Sequence, residues 1–487
     1  MTTGEKSRRA EILPGWFWLA AAAILVFLLA LATTSQTFAV TFPLAALLLT
    51  SGVLIETLWR RRRGAVPWFE IGVVYASVVT LYGVYPLVRV LVVGQTITPQ
   101  NDSRWAALSP TMAEVGQIGW FYVSHLVAFV VVYLLVRGRL AFAVRRLQPP
   151  SRATFIAVIV MYATIASFWF FLGLFYDTSA GSYAETYLVA RRLPLFLAQS
   201  LNHLNGAKYP LSLVILAALF ARYPASRPVI LGWVGLIGVV TVSRLGSRTE
   251  FALLVMSSAI MYHTLIRPIS VRVAAAGVVG GVTFFLVFGM IRSGWLLTPD
   301  YQGFNPFLLP SEFDVLFATP IDLTRLAEQG TLGPVPPALY LADLAALVPQ
   351  QLAPFEKIEP AAWYVWTYFP EYAATGGGLA FGTMAEAALS GGWVSAAVRG
   401  AALGFCFAKI HRFYVHHADR YWVFVFYVWA TTLSYQCFRA STFFLLVLFV
   451  YRFLPAMIGV KILATVLTRA AKQTKWGMQF HAAAAGR

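Results

Sequence analysis

Val115-Gly-Gln-Ile-Gly-Trp-Phe-Tyr-Val-Ser-His-Leu-Val-Ala-Phe-Val-Val-Val-Tyr-Leu-Leu-Val136 holds no Lys, Arg, Asp or Glu and is followed at once by Arg137. A bilayer hydrocarbon core about 30 Å thick takes roughly 20 apolar residues of helix, and this run is long enough to cross it. The pattern recurs along the chain, in runs of approximately Trp16–Thr33, Phe38–Leu58, Trp68–Val93, Val115–Val136, Thr154–Phe175, Tyr209–Ala221, Val229–Ser243, Glu250–Ile266, Val273–Ile291, Met384–Phe407, Tyr421–Cys437 and Ser441–Ile458. The expectation is an all-α polytopic integral membrane protein of about 12 transmembrane helices. Composition agrees: 59% of the 487 residues are hydrophobic, 12% are charged and the mean hydropathy is +0.70, more apolar surface than a soluble domain hides. The first run lacks a small-residue cleavage site behind it and reads as an anchor.

Orientation follows from Lys and Arg in the connections. With the N-terminus inside, most of the 37 basic residues fall on the inner side, among them Arg60–Arg63, Arg137 to Arg152, and the tail from Lys461 to Arg487. Of the 20 acids only Glu5, Glu11, Glu56, Glu70 and Asp419 lie there. Both termini are therefore expected to be cytoplasmic, with a basic tail over 459–487. The net charge of +17 sits beside apolar runs, so anionic headgroups, not nucleic acid, are its expected partners. Cys406 and Cys437 both lie in apolar runs, which leaves no disulfide framework and no cysteine metal site. No P-loop, GxGxxG or Cys/His metal spacing occurs, and no cofactor or metal is expected.

The chain reads as a single membrane domain over 1–487 with two long outer stretches, 176–208 and 292–383. A connection of the second one's length is seldom a passive link. Within it, Pro320 is placed to start a short helix through Ala327, and Tyr340–Leu352 suits an apolar-faced interfacial helix.

Arginines on the outer side depart from the usual charge rule and need a reason. Arg244 and Arg248 flank the turn Ser243-Arg-Leu-Gly-Ser-Arg-Thr-Glu250, Arg292 ends the ninth run, Arg191 and Arg192 lie in the first outer stretch, and Arg439 lies in the turn between the last two runs. Guanidinium groups grip phosphate oxygens bidentately and keep their charge when partly desolvated, so the set suits a pyrophosphate. Taken singly, each also suits a side chain snorkelling to headgroups. Among candidate catalytic groups, Glu386 enters the tenth run, where a carboxylate is costly unless paired or used: it serves as a general base or holds an arginine. His203 is the histidine of the outer connections and a possible base near neutral pH. Glu312 stands two residues from Asp314, a spacing that can hold a divalent ion but fits a solvated loop better. His125, inside the fourth run, suits a helix–helix contact, while His411, His416 and His417 read as a solvated inner connection.

The turn Ser243–Glu250 opening a run, the long outer loop with Ser311-Glu-Phe313, Gly376-Gly-Gly378 through Glu386 to Gly391-Gly-Trp393, and the Phe438–Arg439 turn together resemble the Wzy-type oligosaccharide repeat-unit polymerases of O-antigen, capsule and exopolysaccharide pathways. The resemblance covers about Tyr176 to Leu454 in layout. It implies an enzyme of the bacterial inner membrane with its active face periplasmic. Such an enzyme transfers a growing glycan from one polyprenyl-pyrophosphate carrier to the sugar terminus of another, and a chain-length regulator is a possible partner. Outer arginines would stabilise the departing pyrophosphate, and a carboxylate or His203 would take the proton of the attacking hydroxyl. An O-antigen ligase and a transporter or flippase are the other readings, the latter marked by deep charges and broken helices.

Overall fold

The computed structural model describes residues 35–61, 69–93, 110–138, 147–175, 195–222, 248–270, parts of 272–283, 312–348, 352–353, 357–374 and 378–485, with residue 232. Among these the chain is helical and without strands. In order the helices are α1 Ser35–Arg61, α2 Ile71–Val93, α3 Met112–Arg137, α4 Arg152–Phe175, α5 Leu195–Arg222, α6 Arg248–Leu265, α7 Glu312–Glu328, a 3-10 turn Pro337–Leu341, α8 Ala342–Ala346, α9 Pro360–Tyr368, α10 Pro370–Ala374, α11 Gly382–Ser390, α12 Gly392–His416, α13 Tyr421–Leu433, α14 Gln436–Arg439, α15 Phe444–Leu448, a π-helical turn Phe449–Phe453, and α16 Leu454–Ala485.

Among the described residues, five stretches are long and apolar enough to cross a membrane: Thr37–Arg60, Ile71–Val92, Met112–Arg137, Gly392–His416 and Phe444–Gln473. The expected runs two, three and four match α1, α2 and α3 to within a few residues. Runs five and eight likewise coincide with α4 and α6 to within two residues, whereas some others are redrawn. The run Met384–Phe407 is two helices, because Gly391 and Gly392 both take positive φ, 123° and 61°, and break it. The tail over 459–487 continues as helix to Ala485. The runs Trp16–Thr33 and, apart from residue 232, Val229–Ser243 lie outside the described residues.

The described chain divides into two compact units. The first comprises 1–143, 269–416 and 430–445. Its centre is α3, which opens on a capping box: the Thr111 hydroxyl accepts from Glu114 N at 3.3 Å and Glu114 accepts from Thr111 N at 2.6 Å. Against α3, α12 sets Ala396, Gly400, Gly404 and Ala408, one turn apart and all buried. Small residues at this spacing let two backbones meet where lipid supplies no hydrophobic drive. A Cβ on Gly404 would stand 2.5 Å from the Phe129 carbonyl oxygen, and one on Gly400 would strike the His125 carbonyl. Neither obstacle is a side chain that can swing away. Gly404→Leu is therefore expected to destabilise the unit by at least about 3 kcal/mol, the upper end for overpacking. A melting curve of the purified protein checks this, and unchanged melting would show that α3 and α12 tolerate separation. Outward, Trp120, Val127, Val131 and Leu135 of α3 are exposed, as a lipid-facing surface requires.

The described residues of the long connection over 292–383 are largely helical. Its helix α7 begins at Glu312, not at Pro320, and runs through that proline. Leu316, Phe317, Ile321 and Leu323 are buried, so packing outweighs the backbone bond that proline removes. Of Tyr340–Leu352, expected as one interfacial helix, residues 340–346 form the end of the 3-10 turn and the short α8, with Tyr340, Leu341 and Leu344 exposed.

The second unit comprises 144–268, 417–429 and 446–487. Within it Tyr209 Oη and Ser257 Oγ lie 2.7 Å apart, joining α5 to α6. Trp429 packs on Phe453 at 4.9 Å between ring centroids, and Tyr421 donates to the Val214 carbonyl.

Candidate functional site

The first unit holds a polar centre where α11 ends, α12 begins and the segment 434–443 turns. Glu386 and Arg399 are thirteen residues apart. In one continuous helix they would be separated by roughly 20 Å, at 1.5 Å per residue, beyond the reach of both side chains. The break at Gly391–Gly392 lets Arg399 Nη1 sit 2.6 Å from Glu386 Oε2. The same oxygen accepts from the Thr442 hydroxyl at 2.6 Å and from the Thr442 backbone N–H at 3.2 Å. Arg399 Nη1 also lies 2.8 Å from Thr442 Oγ1, and Arg399 Nε donates to Ser395 Oγ at 3.3 Å. Ser390 Oγ is 2.7 Å from Ser395 Oγ and donates to the Glu386 carbonyl. Thr383 donates to the Cys437 carbonyl at 2.6 Å, which fastens the turning segment to α11.

Behind this centre lies His125. The Ala396 carbonyl, 3.0 Å from Nδ1, can only accept, so Nδ1 carries the proton and Nε2 accepts from Tyr75 Oη at 2.8 Å. His125 joins α3 to α2 and α12, the helix–helix role expected of it.

The structure places the other sequence candidates as follows. Glu386 holds an arginine, and an oxygen that already accepts three hydrogen bonds is a poor proton acceptor. Arg439 lies half-buried on α14, three residues before Thr442. Glu312 is the first residue of α7, and its side chain lies outside the described set. Its neighbour Asp314 is not in a solvated loop: it is 1% exposed, with Oδ2 2.5 Å from Arg89 Nη1. His203 falls within helix α5, not in a loop, and its side chain is not described. Arg248 begins α6, again without a described side chain, and Arg191, Arg192, Arg244 and Arg292 lie outside the described residues. His411 is buried, not solvated. Its Nε2 lies 3.6 Å from Glu70 Oε2, beside the Glu70–Arg137 ion pair.

Arg399 and Thr442 are the site residues that sequence reasoning passed over. The available signal was an arginine deep in an apolar run, seven residues after a Gly-Gly pair. No protein-family model matches the chain, and neither does any curated protein or solved structure.

Proposed function

We propose that the chain is a membrane glycosyltransferase of the Wzy type, polymerising polyprenyl-pyrophosphate-linked repeat units at the outer face of a bacterial inner membrane. The observation that carries the reading is the arginine centre at two helix breaks: Arg399 held beside the segment that bears Arg439, within otherwise apolar helices. Such a centre suits the negative charge that builds on a departing lipid pyrophosphate. Arg191, Arg192, Arg244, Arg248 and Arg292 extend the same chemistry in sequence, and His203 and Glu312 stay the candidates for the base. The activated bond arrives with the lipid, so no nucleotide is needed.

A deletion strain is expected to accumulate single-repeat lipid-linked glycans and lose long chains, as read from its glycan profile. Arg244→Ala and Arg248→Ala are each expected to abolish polymer at unchanged protein level. Normal chain lengths in the deletion strain would overturn the reading.

The helix breaks at 391–392 and 434–443 also suit a transporter, whose substrate sites form at discontinuous helices. The same strain separates the two. Loss of a polymerase leaves repeat units accessible from outside the membrane, whereas loss of a transporter leaves them inside.

A further inference from the structure

Three donors of different kinds, a guanidinium, a hydroxyl and a backbone N–H, converge on Glu386 Oε2 at 2.6, 2.6 and 3.2 Å. That donor set is the one that grips a phosphate oxygen. The oxygen in it belongs to a side chain able to swing away, and the pair is not sealed. The Arg399 and Glu386 side chains are 19% and 10% exposed, whereas Arg137 and Glu70 are both at 0%. We propose that Arg399 and Thr442 form a binding site for a phosphate monoester or pyrophosphate, and that Glu386 occupies this site in the free protein and leaves it when the ligand enters. A carboxylate carries one negative charge. It is displaced by an anion of higher charge and not by a phosphodiester, which carries only one as well. Ordinary phospholipid headgroups are thereby excluded without a steric filter.

The inference rests on reading this centre as the pyrophosphate site, but the two fail separately, since binding of inorganic pyrophosphate involves no glycan transfer. The full chain in phosphatidylcholine nanodiscs is titrated calorimetrically with inorganic pyrophosphate. Glu386→Gln is expected to bind about tenfold more tightly than the wild type, equivalent to about 1.4 kcal/mol. Arg399→Gln is expected to lose binding in both backgrounds. Farnesyl pyrophosphate is expected to behave as pyrophosphate does, and phosphatidylglycerol added to the disc is expected not to compete. Equal affinity of the wild type and Glu386→Gln, retained binding by Arg399→Gln, or competition by phosphatidylglycerol would each overturn the proposal. Should Glu386→Gln fail to reconstitute, Glu386→Ala, which also removes the competing carboxylate, is judged by the same comparison.

Discussion

Arg399→Ala is expected to leave lipid-linked glycans as single repeats with no detectable polymer, on the polymerase reading. The guanidinium bonds Glu386, Thr442 and Ser395 at once, so its removal takes away both the charge facing the ligand and the group that positions three neighbours. Loss of one donor to developing charge costs about 10²–10³ in rate. A stability term accompanies it. Breaking a buried pair by deleting one partner costs about 3–5 kcal/mol, and the partial exposure of this pair places it at the lower end. The two effects separate in the double variant Glu386→Ala/Arg399→Ala. Removing both charges is expected to restore the melting temperature but not the polymer. Arg399→Lys is expected to fold and to retain only part of the activity, because an ammonium cannot reproduce the forked geometry. Chain-length profiles and protein level in the membrane are read together. Full-length polymer from Arg399→Ala at normal protein level would remove this residue from the site.

Arg137→Ala is expected to have the largest effect on stability. Arg137 Nε and Nη2 reach Glu70 Oε1 and Oε2 at 2.5 and 3.0 Å, and Tyr133 Oη donates to Oε1 at 2.7 Å. Both side chains of the pair are shut off from solvent. Deleting the guanidinium strands a carboxylate in a low-dielectric interior, at a cost of about 3–5 kcal/mol. The pair ties the residue before α2 to the last residue of α3, and His411 brings α12 alongside. Its loss is therefore expected to loosen all three helices. Glu70→Gln/Arg137→Met is expected to recover most of the loss, since replacing both charges leaves neither unpaired. Thermal melting of the purified protein measures both variants. A melting point unmoved by Arg137→Ala would show that water reaches the pair.

The extent to which the sequence was legible varied with the kind of feature. The ends of α1, α2 and α3 could be read because transfer of each residue to lipid is a local property that sums along the chain. The break at Gly391–Gly392 was passed over because its neighbours are apolar enough to read as one span. The burial of α7 was passed over because its sequence carries Asp314, Asp322 and Arg325, which look solvated until their partners are known. Those partners are Arg89, Tyr364 and Glu114, the first of them 225 residues away. The Ala396–Gly400–Gly404–Ala408 spacing was visible in the sequence, but the helix it meets was not.

The sequence alone thus determined the helical class, the apolar runs, the asymmetry of basic residues and the presence of charges too costly to be idle in such a setting. Each of these is a sum over neighbouring residues. Only the tertiary structure decided which charge answers which: Glu386 with Arg399 and Thr442, Glu70 with Arg137, Asp314 with Arg89. A buried charge is stable only beside its partner, and which partner it meets depends on where the helices pack, a relation between distant segments that no local pattern carries.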